Sequence, residues 1–195
     1  MNVKNSKRAF VLCGGKSSRM GTDKGLALYH GKEMVRHLID VLEPLFSEVV
    51  LIANNPAYTK FGLPVYHDLI CGTGPMGGIF TGLKNSDSSW NFFIACDMPF
   101  MSDRVIGKLQ NETDDVDAIV ALHHALQEPL CTFYNKSCIS FIEKQMAVNN
   151  FKLQDLLSVI RVKNVDVSDT FLPGQDPFRN INTLDELIII NKYES

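Results

Sequence analysis

Arg8-Ala9-Phe10-Val11-Leu12-Cys13-Gly14-Gly15 is the stretch on which the fold turns. Its apolar run is short and does not alternate with polar residues, the pattern of a strand buried on both faces of a parallel sheet. The glycine pair behind it predicts a tight turn, so a sheet begins at the N-terminus. Outward from there, Val35, Leu38, Ile39, Leu42, Leu45 and Phe46 fall at helical spacing between Met34 and Phe46, with Pro44 distorting the last turn. Glu48 to Ala53 is β-branched and too short for a helix, and Asn54-Asn55-Pro56 stops it. A third strand is expected over Pro64 to His67, a helix from about Met76, a buried strand over Asn91 to Cys96 and a helix from Asp103 to Leu109 capped by Ser102.

The second half departs from strict alternation. Asp117 to Leu122 and Leu130 to Tyr134 read as strands, and the connection His123 to Pro129 is short enough for a hairpin. Helical patterns at Lys136 to Met146, Lys152 to Val159 and Leu184 to Lys192 surround a last strand near Arg161 to Val167. The expected class is therefore α/β, with a mostly parallel but mixed central sheet. No linker, repeat or low-complexity tract divides the chain, so residues 1–195 are read as one domain.

Composition narrows the functional classes. With 19 Lys+Arg against 22 Asp+Glu the formal charge is −3, which argues against a strongly basic nucleic-acid binder. Apolar runs such as Leu187 to Ile190 are far shorter than the ~20 residues that cross a bilayer, and no export signal follows Lys4, Lys7 and Arg8. The five cysteines have no C-x-x-C spacing and sit in or beside apolar segments, as reduced thiols of a cytoplasmic protein do.

The segment Gly14 to Lys24 carries the strongest chemical signal. Glycines after a buried strand let N–H groups turn toward an anion, and Arg19 and Lys24 add positive charge; a solvated loop of mixed charge is the alternative. It is no Walker A loop, because Phe10 stands where that motif needs glycine. Gly72-Thr73-Gly74-Pro75-Met76-Gly77 satisfies G-x-G-x-x-G, with Asp97 20 residues beyond Gly77. Pro64 and Asp68, however, interrupt the strand that a dinucleotide fingerprint requires before its first glycine. Asp97 follows a buried strand, where open α/β sheets place ligand-binding groups, and can hold a hard cation such as magnesium or stabilise its own turn. Asn54 and Asp68 occupy equivalent strand ends. Thr183 and Glu186 form a capping box, whereas Asn180 and Asn182 alternate on an extended segment, facing one side or forming turns. His123 and His124, at a hairpin tip without partners at ligand spacing, are not expected to bind metal.

Together these segments resemble the molybdenum cofactor guanylyltransferases (MobA proteins) of the nucleotidyltransferase superfamily. Leu12-Cys13-Gly14-Gly15, Ser17-Ser18-Arg19-Met20-Gly21 and Asp23-Lys24 are similar to that family's opening. Gly74-Pro75-Met76-Gly77-Gly78, Cys96-Asp97-Met98-Pro99 and Asn180-Ile181-Asn182-Thr183 resemble its later motifs, in order, from residue 9 to 190. Cys13 departs from the usual alanine.

The resemblance implies a three-layer, Rossmann-like nucleotidyltransferase fold, nucleotide-binding over about 8–110 and acceptor-binding over about 111–195. It implies GTP contacts at Leu12, Cys13, Gly14, Gly15, Lys24, Asn54, Asp68 and Asp97, with magnesium on Asp97 and catalytic roles for Arg19, Lys24 and Asp97. Gly77, Gly78, Asn180 and Asn182 would serve the acceptor, molybdenum-molybdopterin, and the product would pass to molybdoenzymes or cofactor-delivery proteins. The Cys13 thiol is expected to line the nucleotide pocket, biased toward thiolate by nearby amides and Lys24, and to be shielded by GTP. The rival readings are a cytidylyl- or sugar-phosphate nucleotidyltransferase, and a nucleotide-binding regulator without turnover.

Overall fold

In the computed structural model, which describes residues 8–14, 23–112, 115–172, 174–181 and 183–193, strand β1 (Arg8–Leu12) is central to a seven-stranded sheet. Ala9, Phe10 and Val11 are wholly buried, as a run without polar alternation requires. The chain continues through a small hairpin, β2 (Leu28–Tyr29) and β3 (Lys32–Glu33), then α1 (Met34–Leu42), β4 (Glu48–Ile52), β5 (Val65–Tyr66), α2 (Pro75–Asn85), β6 (Trp90–Ala95) and α3 (Asp103–Gln110). There follow β7 (Ala118–His123), β8 (Leu126–Asn135), α4 (Cys138–Ala147), α5 (Leu153–Val159), β9 (Val162–Asp166) and α6 (Leu184–Tyr193).

The strand order is β5-β4-β1-β6-β8-β7-β9, and β8 alone runs antiparallel to its neighbours. From β1 the chain winds one way through α1 to β4 and β5, then returns through α2 to β6 on the other side of β1. The carboxyl ends of β1 and β6 therefore flank the topological switch point, where open sheets of this kind hold ligands.

Each face of the sheet is covered. Val35, Leu38, Ile39 and Leu42 of α1 and Val105, Ile106 and Leu109 of α3 pack with Ala9, Val11, Phe92 and Ile94. On the other face α2, α4 and α5 pack with Phe10, Leu12, Val50, Ile52 and Phe93. Gly82 makes the second contact possible: a Cβ there would stand 2.5 Å from the Phe93 ring, which stacks on Phe10 with centroids 5.0 Å apart. The α6 helix joins a separate cluster in which Ile181, Leu187 and Ile190 bury Met34. Its entry is the expected capping box: Glu186 N–H donates to Thr183 Oγ1 and Thr183 N–H to Glu186 Oε2, both at 3.1 Å.

Two expectations need correction. The first helix ends at Leu42, not Phe46, because Pro44 cannot continue it; Phe46 still reaches the core and stacks on Phe92. The link between β7 and β8 is two residues, not the seven from His123 to Pro129: His124 (φ +47°) and Ala125 (φ +62°) turn the chain, and Leu126 to Glu128 already pair with β7. The irregularity absorbing the difference lies between Val120 and Ala121, opposite Pro129, which has no N–H for the ladder. Among the described residues no helix is long and apolar enough to cross a membrane. All five cysteines are free thiols; Cys71 is exposed and the other four are buried.

Candidate active site

One residue beyond the regular ladder, Cys13 N–H donates to Ile52 O at 2.8 Å and Cys96 N–H to Leu12 O at 3.2 Å, so the ends of β1, β4 and β6 remain in register. This fixes where Asp97 emerges. Lys24, on the short 3-10 helix Lys24–Leu26, donates from Nζ to Asp97 Oδ2 at 3.4 Å, with 24% and 22% of the two side chains exposed. Partial burial raises the strength of this ion pair above that of a fully solvated one, yet leaves both groups reachable by a ligand.

Two further polar side chains, one of them charged, are held at neighbouring strand ends. Asn54, after β4, and Asp68, after β5, bind each other twice: Asn54 Nδ2 donates to Asp68 Oδ2 at 3.0 Å and Asp68 N–H to Asn54 Oδ1 at 3.1 Å. The following residue, Asn55, reaches in the opposite direction, to Asp23 beside Lys24. From the C-terminal part of the chain, Ile181 N–H donates to the Asp97 carbonyl at 3.3 Å while its side chain is buried. This backbone bond brings the exposed Asn180 beside the β6 end. Asp97, Asn54 and Asp68 thus follow the carboxyl ends of β6, β4 and β5, with Lys24 paired to Asp97 and Asn180 next to the residue bonded to the Asp97 carbonyl. Arg19, Gly15 and Asn182 lie outside the described residues.

The structure corrects the expectation for Cys13. Its side chain is 1% exposed and points into the core, where Sγ donates to Val11 O at 3.5 Å. Burial, with the neighbouring Cys96 thiol and Asp23 carboxylate, pushes its pKa well up, away from the thiolate. Only its backbone faces the strand end. Alkylation of the native protein is therefore expected at exposed Cys71, with Cys13 unmodified whether or not GTP is present, as peptide mass mapping after a short iodoacetamide pulse would show. Cys13 labelling that GTP suppresses would restore the earlier placement.

Gly77 and Gly78 also differ from a ligand-facing assignment. Both are buried in the first turns of α2: a Cβ on Gly77 would meet Thr73 Oγ1 at 2.1 Å, and one on Gly78 would meet Leu12 Cδ2 at 2.8 Å. Gly77 lets the preceding loop pack on the helix, and Gly78 lets the helix approach the sheet, where Leu12 spends its side chain on the contact. Gly14 is exposed, with no atom within 4 Å of a Cβ built on it. Gly72 and Gly74 have positive φ, and five residues, 67–71, separate β5 from Gly72, so the G-x-G-x-x-G match does not follow a strand directly. His123 is core: it stacks on Phe178 with centroids 4.9 Å apart, and burial pushes its pKa down.

A carboxylate paired with a lysine at the switch point of a covered, mostly parallel sheet places the chain among the α/β proteins that bind ligands at the carboxyl ends of their strands. The chain belongs to the MobA-like NTP transferase family: the model of that domain matches residues 9–165. It is 34% identical over 186 residues to a probable molybdenum cofactor guanylyltransferase of Clostridium perfringens, covering 92% of this chain and 93% of the relative. A protein of the same description from Flavobacterium johnsoniae is 31% identical over 185 residues, with 93% and 95% covered. Among solved structures, molybdopterin-guanine dinucleotide biosynthesis protein A of Archaeoglobus fulgidus superposes with a TM-score of 0.80 at 25% identity, over 95% of this chain and 97% of that one. The chain is accordingly a nucleotidyltransferase, and enzymes of this kind act with a divalent metal ion.

The donors present fit such an ion. Asp97 offers hard carboxylate oxygens at the strand end, and its salt bridge to Lys24 shows a site that already stabilises positive charge against it. Among the described residues no three or more His, Cys, Asp or Glu side chains group so as to hold a metal ion.

Proposed function

We propose that the protein transfers GMP from GTP to molybdenum-molybdopterin. The acceptor's terminal phosphate oxygen bonds to the α-phosphorus of GTP, the bond from that phosphorus to the β-phosphate bridging oxygen breaks, and pyrophosphate leaves. The observation that carries this reading is the Lys24–Asp97 pair at the switch point, tied through the Asp97 carbonyl to the Asn180 segment. The names of relatives aligned along nearly the whole chain support the choice of base and acceptor.

Two anions must meet, so the chain's task is placement and charge neutralisation. Asp97 would hold magnesium, which favours one or two carboxylates plus phosphate oxygens and, when bound, supplies charge stabilisation at those oxygens. Lys24 turns from Asp97 to the transferring and departing phosphates. The backbone of Leu12 to Gly14, with Gly15 and Arg19, cradles the GTP phosphates, and Asn54 and Asp68 hold the nucleoside end. Asn180 and Asn182 receive the acceptor. A phosphate monoester is nucleophilic at neutral pH, so no general base is needed. On this reading 1–195 is one nucleotidyltransferase unit, its first part nucleotide-binding and its second acceptor-binding.

The test is a panel of GTP, ATP, CTP and UTP with molybdenum-molybdopterin and magnesium, read by pyrophosphate release and by mass of the product. GTP alone is expected to give a dinucleotide. Transfer from CTP, or onto a sugar phosphate instead, would replace this function with that of another branch of the superfamily.

A further inference from the structure

Asp23 sits immediately before Lys24 and puts a second carboxylate beside the lysine turn. Its oxygens are otherwise engaged. Tyr58 Oη donates to Asp23 Oδ1 at 2.5 Å and Asn55 Nδ2 to Asp23 Oδ2 at 3.3 Å. Both donors belong to the turn after β4. Asn55 caps the 3-10 helix Pro56–Phe61, its Oδ1 accepting from Ala57 N–H at 3.0 Å, so the amide orientation that points Nδ2 at Asp23 is fixed by its other end. Tyr58 is wholly buried, and burial keeps its phenol protonated as a permanent donor. Asp23 is in turn the residue from which the Lys24–Leu26 turn starts, with Leu26 N–H donating to Asp23 O at 3.0 Å. Gly25 follows Lys24 beneath the same hydroxyl: a Cβ there would lie 2.4 Å from Tyr58 Oη and 3.3 Å from Cys96 Sγ.

We infer that Tyr58 and Asn55 are positioning residues for Lys24: by taking up the Asp23 carboxylate with two neutral donors, they anchor the lysine turn to β4 and leave the Nζ directed at Asp97 and the phosphates. The catalytic consequence rests on the proposed guanylyl transfer; the placement of Lys24 rests on the contacts alone. Neither residue has a motif signature: Asn54-Asn55-Pro56 reads in sequence as a strand stop, and Tyr58 stands in none of the motifs.

Tyr58→Phe keeps the ring and deletes the donor. Two readouts separate the inference from the function. In protein whose lysines carry reductively added 13C-methyl groups, with the Lys24 signal assigned by its loss in Lys24→Arg, Tyr58→Phe is expected to shift that signal. In the transfer assay it is expected to lower kcat by about 10- to 100-fold through misplacement of the lysine, with GTP Kd changed less than about twofold. An unshifted Lys24 signal, or a shifted one with kcat unchanged, would overturn the inference, as would a lowered Tm accompanied by neither effect. A shifted signal in a protein whose unaltered form transfers no GMP would remove the guanylyltransferase function and keep the placement of Lys24. If Tyr58→Phe does not fold, Asp23→Asn reads the same contact from its other end, because its amide nitrogen cannot accept from Asn55; the same shift is expected, and its absence counts against the inference equally.

Discussion

Asp97→Asn is expected to fold like the parent protein and to lose guanylyl transfer by about 100- to 1000-fold, the cost commonly seen when one preorganised charge-stabilising group is removed. The two roles open to this aspartate predict different magnitudes. As a turn residue it would lose a hydrogen bond or so, about 1 kcal/mol of stability, and the amide would replace most of its contacts. The structure argues for more than a turn. The Asp97 backbone carbonyl, not its side chain, accepts the bond from Ile181 that ties in the C-terminal segment, so the substitution leaves that link intact. The side chain instead faces Lys24, and what the asparagine removes is charge. The variant should therefore also require more magnesium to reach half of its own maximal rate. The measurement is kcat against magnesium concentration for both proteins, beside thermal unfolding. Near-normal transfer at limiting magnesium would return Asp97 to a turn role and make Asp68 the next carboxylate to test.

The strands and helices could be read from sequence because burial on two faces imposes continuous apolar runs on β1, β4 and β6, and one-sided burial imposes helical spacing on α1 and α3. What could not be read is where the chain uses short contacts. The 3-10 helices Lys24–Leu26 and Pro56–Phe61 and the two-residue strands β2 and β3 are too short to carry a period. Gly77 and Gly78 show the same limit at the site. A glycine beside a ligand and a glycine in close packing are the same letter, and only the approach of Thr73 to Gly77 and of Leu12 to Gly78 tells them apart. Cys13 illustrates how alternation decides side-chain direction. Ala9 and Val11 face the α1 and α3 layer, so Cys13 does too, and the thiol leaves the pocket that its backbone faces. The period of two already carries that direction in the sequence, whereas the glycines after Cys13 mark only where the backbone turns. The pairing of Asn54 with Asp68, and of Asn55 with Asp23, needed the fold, because it joins ends of different strands.

Lys24→Ala is expected to lower kcat/KM by about 100- to 1000-fold as well, since it removes the cation aimed at the phosphates. Lys24→Arg should recover only part of the loss. It restores the charge, but a planar, bulkier guanidinium fork cannot take the point position that the 3.4 Å contact to Asp97 defines. The informative protein is the double variant. If Lys24 and Asp97 acted independently, their losses would multiply to about 10⁴- to 10⁶-fold. Their contact argues otherwise. With Lys24 gone, the Asp97 carboxylate keeps its charge but loses its partner, so part of the single-variant loss is the cost of an unbalanced anion facing incoming phosphates. Asp97→Asn leaves Lys24 with the converse imbalance. Combining the two removes both imbalances at once, so the double variant should be little worse than the poorer single, as residues that act as one unit behave. Measuring kcat/KM for GTP in the four proteins at fixed magnesium gives the coupling directly. Fully multiplicative losses would mean that the salt bridge is incidental and that the lysine and the aspartate serve separate steps.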